Sequence, residues 1–356
     1  MEGVATMKMK TLIRTLIIMT VLMVAASFYY LPYYVTKPGD AHELSPIVKV
    51  EDGYDSKGEL MLTTVRMGKA NIFAYIVASL SKYEHIYPVD EIRSPHETDE
   101  EYNIRQLQLM ADSQNNAVEV AFEKAGKPYQ FQYNGIYVLS IYPSMPAEDV
   151  LKAGDRITKI DDQAFQSSKE FISYVEGKKS GDKVAITYKR NGKTETAEVP
   201  LQEFPDMKDK VGLGITLTDD KEIITNPKVK LKTEDIGGPS AGLMFSLEIY
   251  DQLTKGDLTK GHDIAGTGTI SEDGTVGRIG GIEQKVVAAD KAGAEYFLAP
   301  DETITKEMKK EYPDLESNYK GAVRTAKDID TSMKIIPVKS FDEAIAFLQT
   351  LKAKKS

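Results

Sequence analysis

Residues 16–35 carry no charge and form an almost unbroken apolar and aromatic run. Such a run cannot be divided between a core and a wet surface, so it demands burial of a whole helix or passage through a bilayer. Its length of about 20 residues is what a helix needs to cross the hydrocarbon layer. Lys8, Lys10 and Arg14 precede it, while Lys37 follows beside Asp40 and Glu43. This bias keeps residues 1–15 in the cytoplasm and puts everything after Val35 outside. Tyr29, Tyr30, Tyr33 and Tyr34 crowd the outer end, as an interfacial aromatic belt does. A cleaved signal peptide with Ala25-Ala26-Ser27 as its small-residue site is the competing reading, but the apolar run continues past Ser27. A buried core helix leaves the basic flank unexplained. The expectation is a single-pass anchor at 16–35, in the cell membrane, with the bulk of the chain extracellular.

The remainder of the 356 residues is enough for two or three domains. A net charge of -9 argues against nucleic acid as a partner. The chain has no cysteine, which excludes disulfides and thiolate metal sites. Its four histidines lack the spacing of a zinc helix, so no metal and no cofactor is expected. No G-x-x-x-x-G-K-[ST] occurs, so ATP is not an expected partner either.

Residues 44–125 read as a strand at Gly58–Val65, a helix at Ile72–Leu80 and a longer helix at Asn103–Lys124, with the acidic Glu97–Glu101 cluster as a solvated helix start. This segment suits an α/β neighbour and is expected to pack on the last domain. From Gly126 the texture changes to short strands and turns. Gly135–Ile141 is a β-branched, aromatic run, and Asn191-Gly192 turns a hairpin between 184–189 and 194–199. Between them lie Ser144-Met145-Pro146-Ala147, Leu151-Lys152-Ala153-Gly154-Asp155-Arg156-Ile157 and Ile160-Asp161, then a helix near 168–175. Residues 126–202 thereby resemble a bacterial PDZ domain, although Met145 interrupts the motif between serine and proline. The resemblance implies an extended peptide added to a sheet edge. A small sheet domain that binds nothing is the bland reading. Tyr133-Asn134-Gly135-Ile136 is a weak candidate for the peptide-binding loop.

Strands at 212–217 and 229–232 lead to Gly237-Gly238-Pro239-Ser240-Ala241-Gly242-Leu243. After it Leu243, Leu247, Tyr250 and Leu253 repeat at helical spacing. Ser240 thus stands where free backbone N–H groups and the positive end of a helix dipole gather, which suits an oxyanion. A plain helix-capping serine is the other reading. G-x-S-x-G also fits a nucleophile elbow, but that fold needs an acid and then a histidine downstream, and the one histidine after Ser240, His262, follows too soon. Lysine is the remaining base. Ile282, Lys285, Val286 and Ala289 share one helical face, with Glu283 and Gln284 directed mostly elsewhere. Burial there lowers a lysine's pKa and lets it take a serine proton. A lysine that merely snorkels over apolar surface fits the periodicity equally well.

Resemblance separates the two. Gly237–Gly242, Thr267-Gly268-Thr269-Ile270, Gly274-Thr275-Val276, the run Ile279–Ala289 and Ala292–Pro300 are similar, in order, to motifs of the Lon proteolytic domain, over residues 210–351. The whole chain resembles the membrane-anchored, PDZ-containing Lon-like proteases of Gram-positive bacteria. The resemblance implies an α+β fold and a Ser-Lys dyad of Ser240 and Lys285. It makes Thr267 a supporting hydroxyl near the lysine, with the turn Gly238, Pro239, Ala241 and Gly242 around the oxyanion. One position departs: the family's acid before Gly-Pro-Ser is Gly237 here, with Asp235 two residues earlier. The expected function is ATP-independent serine endopeptidase cleavage of extracellular peptides or flexible segments. A non-catalytic PDZ adaptor and a Ser-Lys esterase are the alternatives, and a homo-oligomer stays open.

Overall fold

The computed structural model describes residues 2–205, 207, 210–233 and 236–354, with the side chains of 2–11, 22 and 25 outside the described set. Helix α1 (Glu2–Phe28) ends seven residues short of the expected span (35 − 28), and β1 (Tyr30–Glu43) begins almost at once. The correction has a local cause. Tyr30–Val35 is aromatic, β-branched and interrupted by Pro32, a composition that favours strand and blocks helix. Tyr34 and Val35 are buried, so these residues belong to the core rather than to an interface. The pairing of β1 shifts register between Tyr30 and Tyr34, around the proline that lacks a ladder donor. Among the described residues no helix is long and apolar enough to cross a membrane.

Next come β2 (Val48–Val50), β3 (Glu59–Asn71), α2 (Ile72–Leu80), β4 (His85–Pro88), α3 (Val89–Ile92) and α4 (Asp99–Lys124). α4 starts before Asn103 because Thr98 and Glu101 form a reciprocal capping box. The acidic cluster there is more than a solvated face. Glu101 is buried, and Glu97 pairs with Arg105 at 2.6 Å.

An excursion then builds a second sheet: β5 (Tyr129–Ile141), β6 (Arg156–Ile160), α5 (Ser168–Glu176), β7 (Lys183–Arg190), β8 (Lys193–Pro200), β9 (Gln202–Glu203), β10 (Val211–Gly212) and β11 (Ile215–Thr225). Its main strands run in the order β11-β5-β6-β7-β8 around Ile136, Val138, Ile157, Phe171, Ile186 and Leu213. The sheet therefore continues past residue 202. β11 pairs with β5 from Ile215–Ile141 to Thr225–Tyr129, so the strand expected to lead toward Ser240 belongs here. Alternation along a strand says which face is apolar but not which sheet it joins.

The chain returns through β12 (Val229–Leu231), which pairs with β2, to α6 (Gly242–Leu253), β13 (Asp263–Gly266), β14 (Thr269–Ile270), β15 (Val276–Gly277) and α7 (Ile282–Lys291). β16 (Tyr296–Pro300), α8 (Lys306–Glu311), α9 (Asn318–Asp328), β17 (Lys334–Val338) and α10 (Phe341–Thr350) complete it. Among the described residues the main sheet runs β17-β16-β13-β3-β1-β4. β3, from the segment before the excursion, lies parallel to β13 from the segment after it. Side chains alternate across this sheet. Leu60, Leu62, Ile264 and Leu298 enter a core with α4, α6 and α10, while Met61, Ala265 and Phe297 enter one with α7 and α9. The result is a mixed α/β layer with helices on both faces.

Candidate active site

α6 is apolar on nearly every side and almost wholly buried, so the turn in front of it is held between the sheet and α4. Gly238, with φ 85°, makes that turn and donates its N–H to the Gln106 carbonyl of α4 at 2.9 Å. Ser113, also on α4, donates its hydroxyl to the Pro239 carbonyl at 2.9 Å. Ser240 follows, partly buried. Its carbonyl accepts from Thr267 Oγ1 and from the Gly268 N–H, each at 2.9 Å. Thr267, the supporting hydroxyl that the resemblance implied, thus acts on the serine's own backbone.

The lysine arrives from the other side of the sheet. Gly281 opens α7 in the left-handed region (φ 68°), where an added Cβ would lie 2.8 Å from Val65 Cγ2. This close approach turns Lys285 inward, and the residue is 3% exposed. Its Nζ lies 3.0 Å from Ser240 Oγ and donates to the Thr63 carbonyl of β3 at 2.6 Å. Burial lowers its pKa from 10.5 to about 7. When the amine is neutral, one N–H remains on Thr63 and the lone pair is free for the serine proton. Gln284, expected to face away, is also buried and donates to Thr36 Oγ1 at 2.9 Å, tying α7 to β1.

Of the four residues expected around the oxyanion, only Ala241 keeps an available donor. Pro239 has no N–H, the Gly238 N–H is committed to Gln106, and that of Gly242 points at the Pro239 carbonyl at 3.5 Å. Among the described residues the N–H groups of Ser240 and Ala241 have no backbone acceptor. Gly237 also has a physical account. A Cβ there would stand 3.0 Å from Gln106 Cβ, so any side chain at this exposed position needs α4 to give way by a few tenths of an ångström. Asp235 lies outside the described residues.

A second feature was missed by the sequence reading. A cavity of about 540 Å³ lies between β11 (Ile215, Thr216, Leu217) and α5 (Phe171, Ile172, Val175), closed by Val211–Gly214. β11 is a sheet edge, so the geometry is that of strand addition under a helix. Tyr133–Ile136, the weak loop candidate, lies instead within β5: Tyr133, Gly135 and Ile136 pair with β11 around a register shift at Asn134, and Ile136 also pairs with β6 and is buried. Backbone already paired with β11 is not a free peptide-binding loop. The signal that could have found the groove was Gly212-Leu213-Gly214-Ile215. Gly214 has φ 87°, and a Cβ on it would meet Met145 Cβ at 2.0 Å.

Comparison with known proteins agrees with these two regions. Residues 108–201 match the PDZ domain model, and residues 232–348 match that of the Lon protease (S16) C-terminal proteolytic domain. Lon protease of Trichlorobacter lovleyi is 34% identical over 108 residues, 30% of this chain and 11% of that protein. Serine protease Do-like HtrA of Lactococcus lactis is 41% identical over 70 residues, 19% of this chain and 17% of that protein. The chain thus spans between a tenth and a fifth of these relatives' length. The PDZ domain of an SdrC-like protein from Listeria monocytogenes is 51% identical, covering 24% of this chain and 90% of that structure with a TM-score of 0.23.

Proposed function

Starting from a chain that joins a PDZ domain to a Lon-type proteolytic domain, we propose that it is a serine endopeptidase using a Ser240–Lys285 dyad. The single observation that carries this reading is the 3.0 Å contact between a serine hydroxyl and a buried lysine amine whose pKa is near 7. The neutral amine takes the Ser240 proton as Oγ attacks the scissile carbonyl, then returns it to the leaving amine. The oxyanion forms against the N–H groups of Ser240 and Ala241. Thr267 and Gly268 hold the Ser240 carbonyl, so the serine does not swing as its hydroxyl changes charge. The groove beside β11 takes an extended segment of the substrate or of a regulatory peptide.

The reading includes anchoring by α1, ATP-independent action and an outward-facing bulk. The sequence supports the anchor through its basic flank, and α1 through apolar side chains exposed at four successive positions, Leu16 to Met19, where one protein partner covers only one face. Substrates are then peptides or flexible segments, because no unfoldase motif is present in this sequence to open folded ones.

The test compares peptides released by cells carrying the intact protein with those from cells carrying Ser240→Ala or Lys285→Ala. Purified variants are assayed on a peptide library alongside. Each substitution is expected to lower cleavage by a factor on the order of 10³ or more. Undiminished cleavage by a folded Ser240→Ala protein defeats the proposal, and ester turnover without peptide cleavage redirects it to an esterase.

A further inference from the structure

Helix α2 turns four of its bulky residues away from the protein, while Tyr75 packs inward on Tyr33. It contains no charged residue. Its small residues Ala74 and Ala78 face inward against the cluster of Val35, Ala70 and Ile86. Phe73, Ile76, Val77 and Leu80, at i, i+3, i+4 and i+7, form one outward stripe. Ile76 and Val77 are more than half exposed, and Leu80 is 85% exposed. A soluble surface helix has the opposite polarity.

The helix is also held firmly at both ends. Asn71 caps it by accepting from the Ala74 N–H at 2.8 Å, and the same side chain donates to the Ser27 carbonyl in the last turn of α1 at 3.1 Å. Beyond its far end, Lys82 and Tyr83 both bond to Asp328 of α9. The Asn71–Ser27 bond therefore fixes the start of α2 beside the end of α1, where the rings of Tyr29 and Tyr30 are also exposed.

We propose that α2 is a second membrane contact, its Phe73, Ile76, Val77 and Leu80 stripe seated in the interfacial layer of the bilayer that holds α1. The proposal rests on the anchoring reading of α1. A helix lying in the interface sinks about 5–10 Å, enough to cover one side-chain layer. One spanning helix leaves a domain free to swivel, and a second contact removes that freedom. β3 runs from the Thr63 carbonyl on Lys285 directly into α2. At about 3.4 Å per residue the active site stands within roughly 30 Å of the start of α2.

The chain has no cysteine, so one introduced cysteine takes one label. The full chain is reconstituted in vesicles of phosphatidylcholine and phosphatidylglycerol, with an environment-sensitive fluorophore at Ile76→Cys or Val77→Cys. Ile17→Cys reports on α1 and Lys193→Cys on the exposed hairpin of the second sheet. Ser240-dependent peptide cleavage checks that each labelled protein is folded. The expected result is a blue shift and quenching by nitroxide-bearing lipid at 76 and 77, as at 17, with none at 193. Quenching at 17 but not at 76 or 77 overturns the α2 contact and leaves the anchor standing. Absence of quenching at 17, 76 and 77 removes both. Shielding at 76 from water but not by lipid, with label-to-label quenching, overturns the proposal in favour of a second copy covering the stripe.

Discussion

Burial lowers the Lys285 amine to about 7, so near neutral pH a substantial share of molecules holds a neutral base beside Ser240. Cleavage is expected to rise as pH increases through about 7 and then level off, which a kcat/KM profile reads directly. The same shift sets a stability cost. Between about 7 and 10.5 the unfolded chain binds more protons than the folded one, so this group makes stability fall as pH drops through that window. Lys285→Met removes the cost while filling a similar volume. It is expected to abolish cleavage yet raise stability by roughly 1 kcal/mol or more, about 1–2 °C in Tm per kcal/mol for a chain of this size. Thr267→Val tests the carbonyl clamp. It keeps the shape but loses the bond to the Ser240 carbonyl, and a loss on the order of 10²-fold in kcat with little change in KM is expected.

At the scale of elements, α4 links the two parts of the molecule. Its Gln106 carbonyl and Ser113 hydroxyl hold the Gly238–Pro239 turn. Near its start Glu101 accepts the Ile141 N–H at the end of β5, and Asn115 donates to the Lys221 carbonyl of β11. Ser113→Ala leaves the Pro239 carbonyl without its buried donor. A loss of about 1–3 kcal/mol is expected in denaturant unfolding, together with reduced cleavage. β11 supplies the groove edge, so a charge there disables binding without touching the dyad. Leu217→Glu is expected to lower affinity for groove-binding peptides at least tenfold, seen by calorimetry, with cleavage of a short peptide unchanged.

The whole molecule is one α/β domain interrupted by another. Tyr129 pairs with Thr225 and the Asn226 N–H donates to the Pro128 carbonyl, so the excursion leaves and re-enters at neighbouring points. Replacing residues 129–225 by a short glycine-serine linker is expected to keep the main sheet folded. The shortened protein should cut a small peptide in a Ser240-dependent way and fail on substrates that need the groove. A chain that unfolds on this deletion, judged by circular dichroism, sinks the view of the excursion as a separable module.

The sequence determined the local facts: where α2, α5, α6 and α7 lie, the Asn191-Gly192 hairpin, and a serine and an inward lysine at the starts of two buried helices. These follow from turn residues and periodicity, which act over a few neighbours. Tertiary structure decided what local patterns cannot carry. Pro32 and the aromatic, β-branched composition of Tyr30–Val35 oppose a helix locally, but pairing with both β3 and β4 is what places the stretch inside a sheet. β11 alternates equally well for either sheet, and its partner residues in β5 lie 74 to 96 positions earlier (215 − 141 and 225 − 129). The Thr63 carbonyl on Lys285 and the Ser113 hydroxyl on Pro239 come from segments far from the motifs, brought together by one shared core. Which side of α2 faces the protein was decided by the fit of Ala74, Tyr75 and Ala78 against β1, β3 and β4.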